Sequence, residues 1–225
     1  MKKFGLIFLL IVFGYSVFAQ SSATPVNFLN MFFSYLKGNE VELSDVLVEG
    51  YIRDYHGTVY TQNRNNEFQW YGVLEQYREN MAAEIDRIDL NASYSVAINA
   101  NFENYDFSRN GFPVPISEGT YIRLSESSMS RLGSINLYFL NLHNFNFFEM
   151  ERNQANDFLT SRTDRYHGGV NRQVRLLVFF NLEEFSSTVN DNLIMVGLNN
   201  PVVVTANRVE VYDNNRKIGD LVISD

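Results

Sequence analysis

From Tyr94 to Glu103 the chain alternates in character: Tyr94, Val96, Ile98, Ala100 and Phe102 share one parity, and Ser95, Ala97, Asn99, Asn101 and Glu103 share the other. A period of two puts successive side chains on opposite faces, which predicts a half-buried strand. Ahead of it the period lengthens. Trp70, Val73, Leu74, Tyr77, Met81 and Ile85 fall on one face of a helix, with Glu75, Gln76, Glu79 and Glu84 largely off it and Asn66 in place as a cap. Phe28, Leu29, Phe32, Phe33 and Leu36 recur at spacings of three and four until Gly38, so a first helix is expected there. Thr24 supplies its cap and Pro25 its first turn, where a missing N–H is harmless. Between them, Val46, Leu47 and Tyr51 are compatible with a second helix that frays before the polar run TQNRNN.

Beyond residue 103 the apolar runs shorten. GTYIRL and SINLYFL read as strands, and a short helix is expected from about Met150 to Arg162 with Ala155, Phe158 and Leu159 inward. VRLLVFFNL is apolar enough to be a central strand buried on both faces. The tail from Pro201 adds two or three strands, with Asp213-Asn214-Asn215 as a hairpin signal. Helices come early and strands late. That segregation predicts an α+β fold, with N-terminal helices packed on a mostly antiparallel C-terminal sheet.

The first twenty residues follow a different logic. Lys2 and Lys3 precede FGLIFLLIVFGYSVF, and Val17 and Ala19 place small residues where a signal peptidase reads them. The expectation is a signal peptide over residues 1–19 and a single globular domain over 20–225, in one piece because a chain of 225 residues is marginal for two cores. The chain has no cysteine, so neither a disulfide framework, a thiolate metal site nor a lipid-modified cysteine is available. Removal of Lys2 and Lys3 takes the formal charge from −8 to −10. An acidic chain is a poor match for nucleic acid or for an anionic membrane surface. No second long apolar run follows, which predicts no membrane span after cleavage and a periplasmic or secreted product.

Two stretches carry candidate chemistry. In YDFSRNGFPVP, Asp106, Ser108, Asn110 and Gly111 occupy the first, third, fifth and sixth places of a calcium loop. The bidentate acid due at the twelfth place is absent, since Ser117 stands there and Glu118 comes one residue late. Asn110-Gly111 is also a strong turn signal, so a turn that ties up its own N–H groups is the leading reading and a weak calcium site the alternative. In RTDRYHGGVNRQVR, Arg162, Arg165, Arg172 and Arg175 gather around His167, Gly168 and Gly169, where arginine forks and glycine N–H groups could hold a carboxylate or phosphate. The spacing counts against convergence, because Arg172 and Arg175 point to opposite sides of an extended strand.

Other enzymatic patterns are missing. His56, His143 and His167 are dispersed without metal-ligand spacing, and no G-x-S-x-G elbow or nucleotide loop occurs. Glu75 and Glu79 read as solvated helix surface. The expectation is therefore an exported bacterial cell-envelope protein that binds or interacts without catalysis, its partner an envelope protein or polysaccharide. The alternatives are a small hydrolase acting on envelope or extracellular polymer through carboxylates brought together by folding, and an assembly partner that adds a strand to another protein.

Overall fold

The computed structural model describes residues 23–125, 131–164, 169–185 and 200–223. The signal peptide expected over residues 1–19 lies outside these residues. Thr24–Pro25 does not begin a helix: it forms a short strand, β1, parallel to the strand at Tyr94–Ser95, with the Thr24 N–H on the Ser93 carbonyl at 2.9 Å. The helix α1 (Phe28–Gly38) starts later because Asn27 and Asn30 cap each other, each side-chain oxygen accepting the other's backbone N–H at 2.8 and 3.0 Å. Reciprocal capping satisfies two otherwise unpaired donors, which a threonine followed by proline cannot match.

α2 (Asp45–Tyr55) is capped by Ser44, and His56 then turns the chain directly into α3 (Gly57–Asn63). Helix thus continues into the polar run expected to be frayed. α4 (Glu67–Arg87) carries the predicted cap, Asn66 accepting from the Gln69 N–H at 3.3 Å. Lys37 of α1 donates to the carbonyls of Asp86 and Ile88 at 3.0 and 2.7 Å, closing the C-terminal end of α4. Arg78 of α4 reaches Asp45, Glu75 and the Leu43 carbonyl, which fastens α4 to the start of α2.

The strands follow as β2 (Tyr94–Asn101), β3 (Gly111–Pro113), β4 (Tyr121–Leu124), β5 (Ile135–Phe139) and β6 (Phe145–Glu149), then α5 (Arg152–Ser161), β7 (Gln173–Glu184), β8 (Pro201–Asp213), β9 (Arg216–Asp220) and β10 (Val222–Ile223). The fold is α+β, with helices early and strands late, but the strands divide between two sheets. The larger runs β1-β2-β7-β8-β5-β4, with β9 also on β8; the smaller runs β10-β6-β3. The larger sheet is mixed, since β1 pairs β2 and β5 pairs β8 in parallel while its other pairings are antiparallel. Strand β6 has no counterpart among the elements expected from sequence.

β7 is central, between β2 and β8, yet it is not buried on both faces. Val174, Leu176, Val178 and Phe180 face the core, whereas Arg175 is exposed and Leu177 and Phe179 are half-buried. The outer face is covered by arginine stems rather than by a second layer: the Arg208 guanidinium lies 4.2 Å above the Phe179 ring and Arg175 lies 5.2 Å from that of Tyr212. In β8 the inward parity changes, from Val202, Val204 and Ala206 to Val209 and Val211. A bulge explains it, because Phe180 pairs with Ala206 and Phe179 with Arg208, leaving Asn207 as the extra residue.

Single-sided burial has a measurable consequence. Phe180→Ala should lower unfolding free energy by about 3–5 kcal/mol, and Phe179→Ala by only about 1–2 kcal/mol. Equal losses in denaturant titrations would mean both faces of β7 are core.

Candidate functional site

The stretch Asp106–Gly111 is a closed turn. Asp106 and Gly111 form an antiparallel bridge, the Asp106 N–H donating to the Gly111 carbonyl at 2.8 Å. One oxygen, Asp106 Oδ1, accepts from the Ser108 N–H at 2.8 Å, the Ser108 Oγ at 2.6 Å and the Arg109 N–H at 3.2 Å. Those bonds hold the carboxyl below its ordinary range, the Ser108 hydroxyl contributing most. Asn110 takes φ 54°, a left-handed conformation that asparagine tolerates. Gly111 is required by space: a Cβ there would meet the Phe148 carbonyl oxygen at 2.3 Å. Any cation at Asp106 Oδ1 would compete with three local donors, and among the described residues no group of three or more histidine, aspartate or glutamate side chains is set to hold a metal.

Asp106 turns its carboxylate back onto the turn, while residues 107–110 are exposed. Phe107 is 66% exposed, met edge-on by Tyr105 at 5.1 Å between ring centroids and overlain by the Arg152 guanidinium at 5.2 Å. Tyr105 is itself fixed, donating to the Met150 carbonyl at 2.9 Å. Arg109 leaves the turn separately and lies 3.7 Å over the ring of Phe147.

The two residues thereby wall separate grooves beside α5. The first, about 380 Å³, is lined by Tyr105, Phe107, Arg152, Asn153, Asn156 and Leu159, together with the buried Ala155. Arg152, Asn156 and Leu159 stand at helical spacing, which presents them as one stripe. A second groove, about 390 Å³, has Arg109, Asn110, Glu149, Met150, Glu151 and Gln154 on its walls. A third, about 640 Å³, shares Met150 and Gln154 and continues past Asp157 and Ser161 to Asp213, Arg216 and Lys217. A polar surface with an aromatic edge thus wraps the outward side of α5.

The second candidate stretch borders the other end of the same helix. Arg162 donates to the carbonyls of Gln173 and Asn171 at 2.7 and 3.2 Å, pairs with Asp213, and lies 4.5 Å over Phe158. Arg172 donates to the Glu103 carbonyl at 2.8 Å, and Arg175 sits over Tyr212 on the outer face of β7. These three arginines are spent on separate partners and do not converge. Gly169 is exposed, its carbonyl accepting from the Asp164 N–H at 2.7 Å. Arg165, His167 and Gly168 lie outside the described residues. His56 joins α2 to α3, and His143 sits in the 3-10 turn Leu142–Asn144.

The sequence points to this turn through Asp106, Ser108 and Asn110, whereas the groove beside it is walled by Phe107 and Arg152. Phe107, Arg152, Asn153 and Asn156 were passed over, although a phenylalanine inside a polar turn, DFSRNG, is itself an anomaly that marks an outward ring. Residues 44–161, just over half of the 225-residue chain, match the model of a family described as "Domain of unknown function (DUF4852)", a span from the cap of α2 to the end of α5. No curated protein and no solved structure matches the chain.

Asp106 gives the turn a pH dependence. Its carboxyl is lowered in the fold, so its contribution is present above the unfolded value of about 4 and is lost as pH falls through the lower folded value. An NMR titration should show the Ser108 amide shifting with a midpoint below the ordinary aspartate value. Asp106→Asn should move that midpoint out of the titration, and a Ser108 amide that titrates at the ordinary aspartate value would contradict the turn.

Proposed function

The chain belongs to the DUF4852 family, and we propose that it is an exported, non-catalytic binding domain of the bacterial cell envelope that holds a polysaccharide across the α5 face. The carrying observation is Phe107, a large ring kept in water and fixed by Tyr105 and Arg152 beside the amides of Asn153 and Asn156. A ring mostly in solvent brings little core energy to the fold. Held rigid, it offers a flat apolar platform to the C–H face of a sugar at little ordering cost, while amides and a guanidinium satisfy the hydroxyls around its edge. The leader pattern of residues 1–19 supports export, and the amino terminus of the mature protein should be Gln20. Intact Met1 in the mass spectrum of the envelope-fractionated protein would contradict that part.

Glu149 and Glu151 give the hydrolase alternative a specific footing, because both line the groove beside Arg109. Both are exposed on an open surface, where water is not excluded and an acid–base pair gains little from its surroundings. Binding without turnover is the better fit.

Titration of the purified domain with soluble oligosaccharides, followed by amide NMR, separates the readings. The expected result is shifts confined to residues 105–111 and 150–159, with Phe107→Ala weakening binding by at least about tenfold and leaving the melting temperature unchanged. Shifts elsewhere, or none, would defeat the polysaccharide reading. Release of shorter sugars, abolished by Glu149→Gln or Glu151→Gln, would replace it with the hydrolase.

A further inference from the structure

Away from α5, a recess of about 310 Å³ opens where α1, α2 and α4 meet. Each helix gives it a stripe. Leu29 and Phe33 stand one turn apart on α1, Tyr51 and the junction residue His56 come from α2, and Tyr77 and Glu84 lie two turns apart on α4. The rings are in mutual contact: centroids are 5.9 Å apart for Phe33 and Tyr51, 5.5 Å for Tyr51 and His56, 4.8 Å for His56 and Tyr77, and 6.5 Å for Tyr51 and Tyr77. His56 is held by its own backbone, its N–H donating to the Ile52 carbonyl at 2.7 Å as the chain leaves α2.

The wall holds one carboxylate and one imidazole. Glu84 is its carboxylate, and neither lysine nor arginine is among the lining residues. Burial first, and the Glu84 and Tyr77 charges after it, hold the Tyr51 phenol above its ordinary range, so the Glu84 charge is felt inside the recess. From the solvent side, Arg87 pairs with Glu84 Oε1 at 2.5 Å. That is an exposed pair within one helical turn, easily exchanged for another cation. The volume suits a small molecule rather than a polymer.

We propose that this recess binds a small organic cation, its apolar body against Leu29, Phe33 and the tyrosine rings and its cationic head between Glu84 and the Tyr77 ring. A neutral guest of the same shape would gain only the burial. A cation adds the carboxylate and the negative face of an aromatic ring, two attractions that the neutral guest lacks. The acidic chain draws cations toward it from a distance. These residues are separate from the α5 face, so either site stands if the other fails.

Choline is a suitable probe, with its neutral isostere, carbon in place of nitrogen, as control. In amide NMR titrations choline should shift Tyr77 and Glu84 and bind about tenfold tighter than the isostere. Glu84→Gln, at an exposed position that leaves the fold intact, should erase the preference and keep the weak apolar binding of both. Tyr77→Leu keeps bulk and removes the ring face, and should weaken choline more than the isostere. Equal affinities, a preference that survives Glu84→Gln, shifts outside the recess, or no shift with either compound would each overturn the proposal.

Discussion

A stack of phenylalanines joins the two sheets, and the α5 face depends on it. Phe102 leaves the end of β2 and lies nearly parallel to Phe112 of β3 at 4.8 Å and to Phe148 of β6 at 5.2 Å, while Phe158 of α5 tilts against Phe102 and Phe112 at 5.7 and 6.0 Å. Phe112 is fully buried. Four rings thus fix the small sheet and α5 to the large sheet by dispersion and area burial, beside the bonds that Arg162 makes to the Gln173 carbonyl and to Asp213. The backbone confirms the register at its border, where the Phe102 N–H reaches the Arg172 carbonyl at 3.0 Å and the Glu103 N–H reaches the Pro113 carbonyl at 2.9 Å.

With that joint made, the turn has little freedom left. Asp106 closes it from within, and the Asn110 carbonyl accepts from the Met150 N–H at 3.1 Å, fastening it to the entry of α5. Phe107 and Arg109 face solvent with Ser108 and Asn110, and they wall separate grooves. The surface is therefore produced by satisfying the backbone first and displaying the leftover side chains, which is how a rigid loop can carry recognition on a packed scaffold. The helical recess arises differently, from stripes on three helices whose ends are tied by Lys37 and Arg78.

Local signals were legible in the sequence and non-local ones were not. Asn66, the alternation of β2 and the Asn214 hairpin depend on neighbours within a few residues, and the chain adopts what those neighbours dictate. The helix start at Thr24-Pro25 was misread because β1 pairs with residues about seventy positions away, where no local rule reaches. β6 escaped notice since Phe147 and Phe148 are both buried, one under Arg109 and one in the phenylalanine stack, so no clean period of two survives. In the candidate site the turn chemistry of Asp106 and Asn110 was readable, whereas the grooves need residues 105–110 beside 149–159, a proximity made by the stack together with the β3–β6 pairing and the Met150 hydrogen bonds to Tyr105 and Asn110. Arg162, Arg172 and Arg175 each take a separate partner, because an arginine's partner is set by tertiary placement and not by spacing.

Hydrogen exchange on Phe112→Ala tests the central role of the stack most directly. If the rings are the joint, protection falls first and together in residues 102–113 and 145–161, while α1, α4 and the β7–β8 pair keep their native exchange. A uniform loss of protection across the chain, or native protection in α5 and β6, would contradict it.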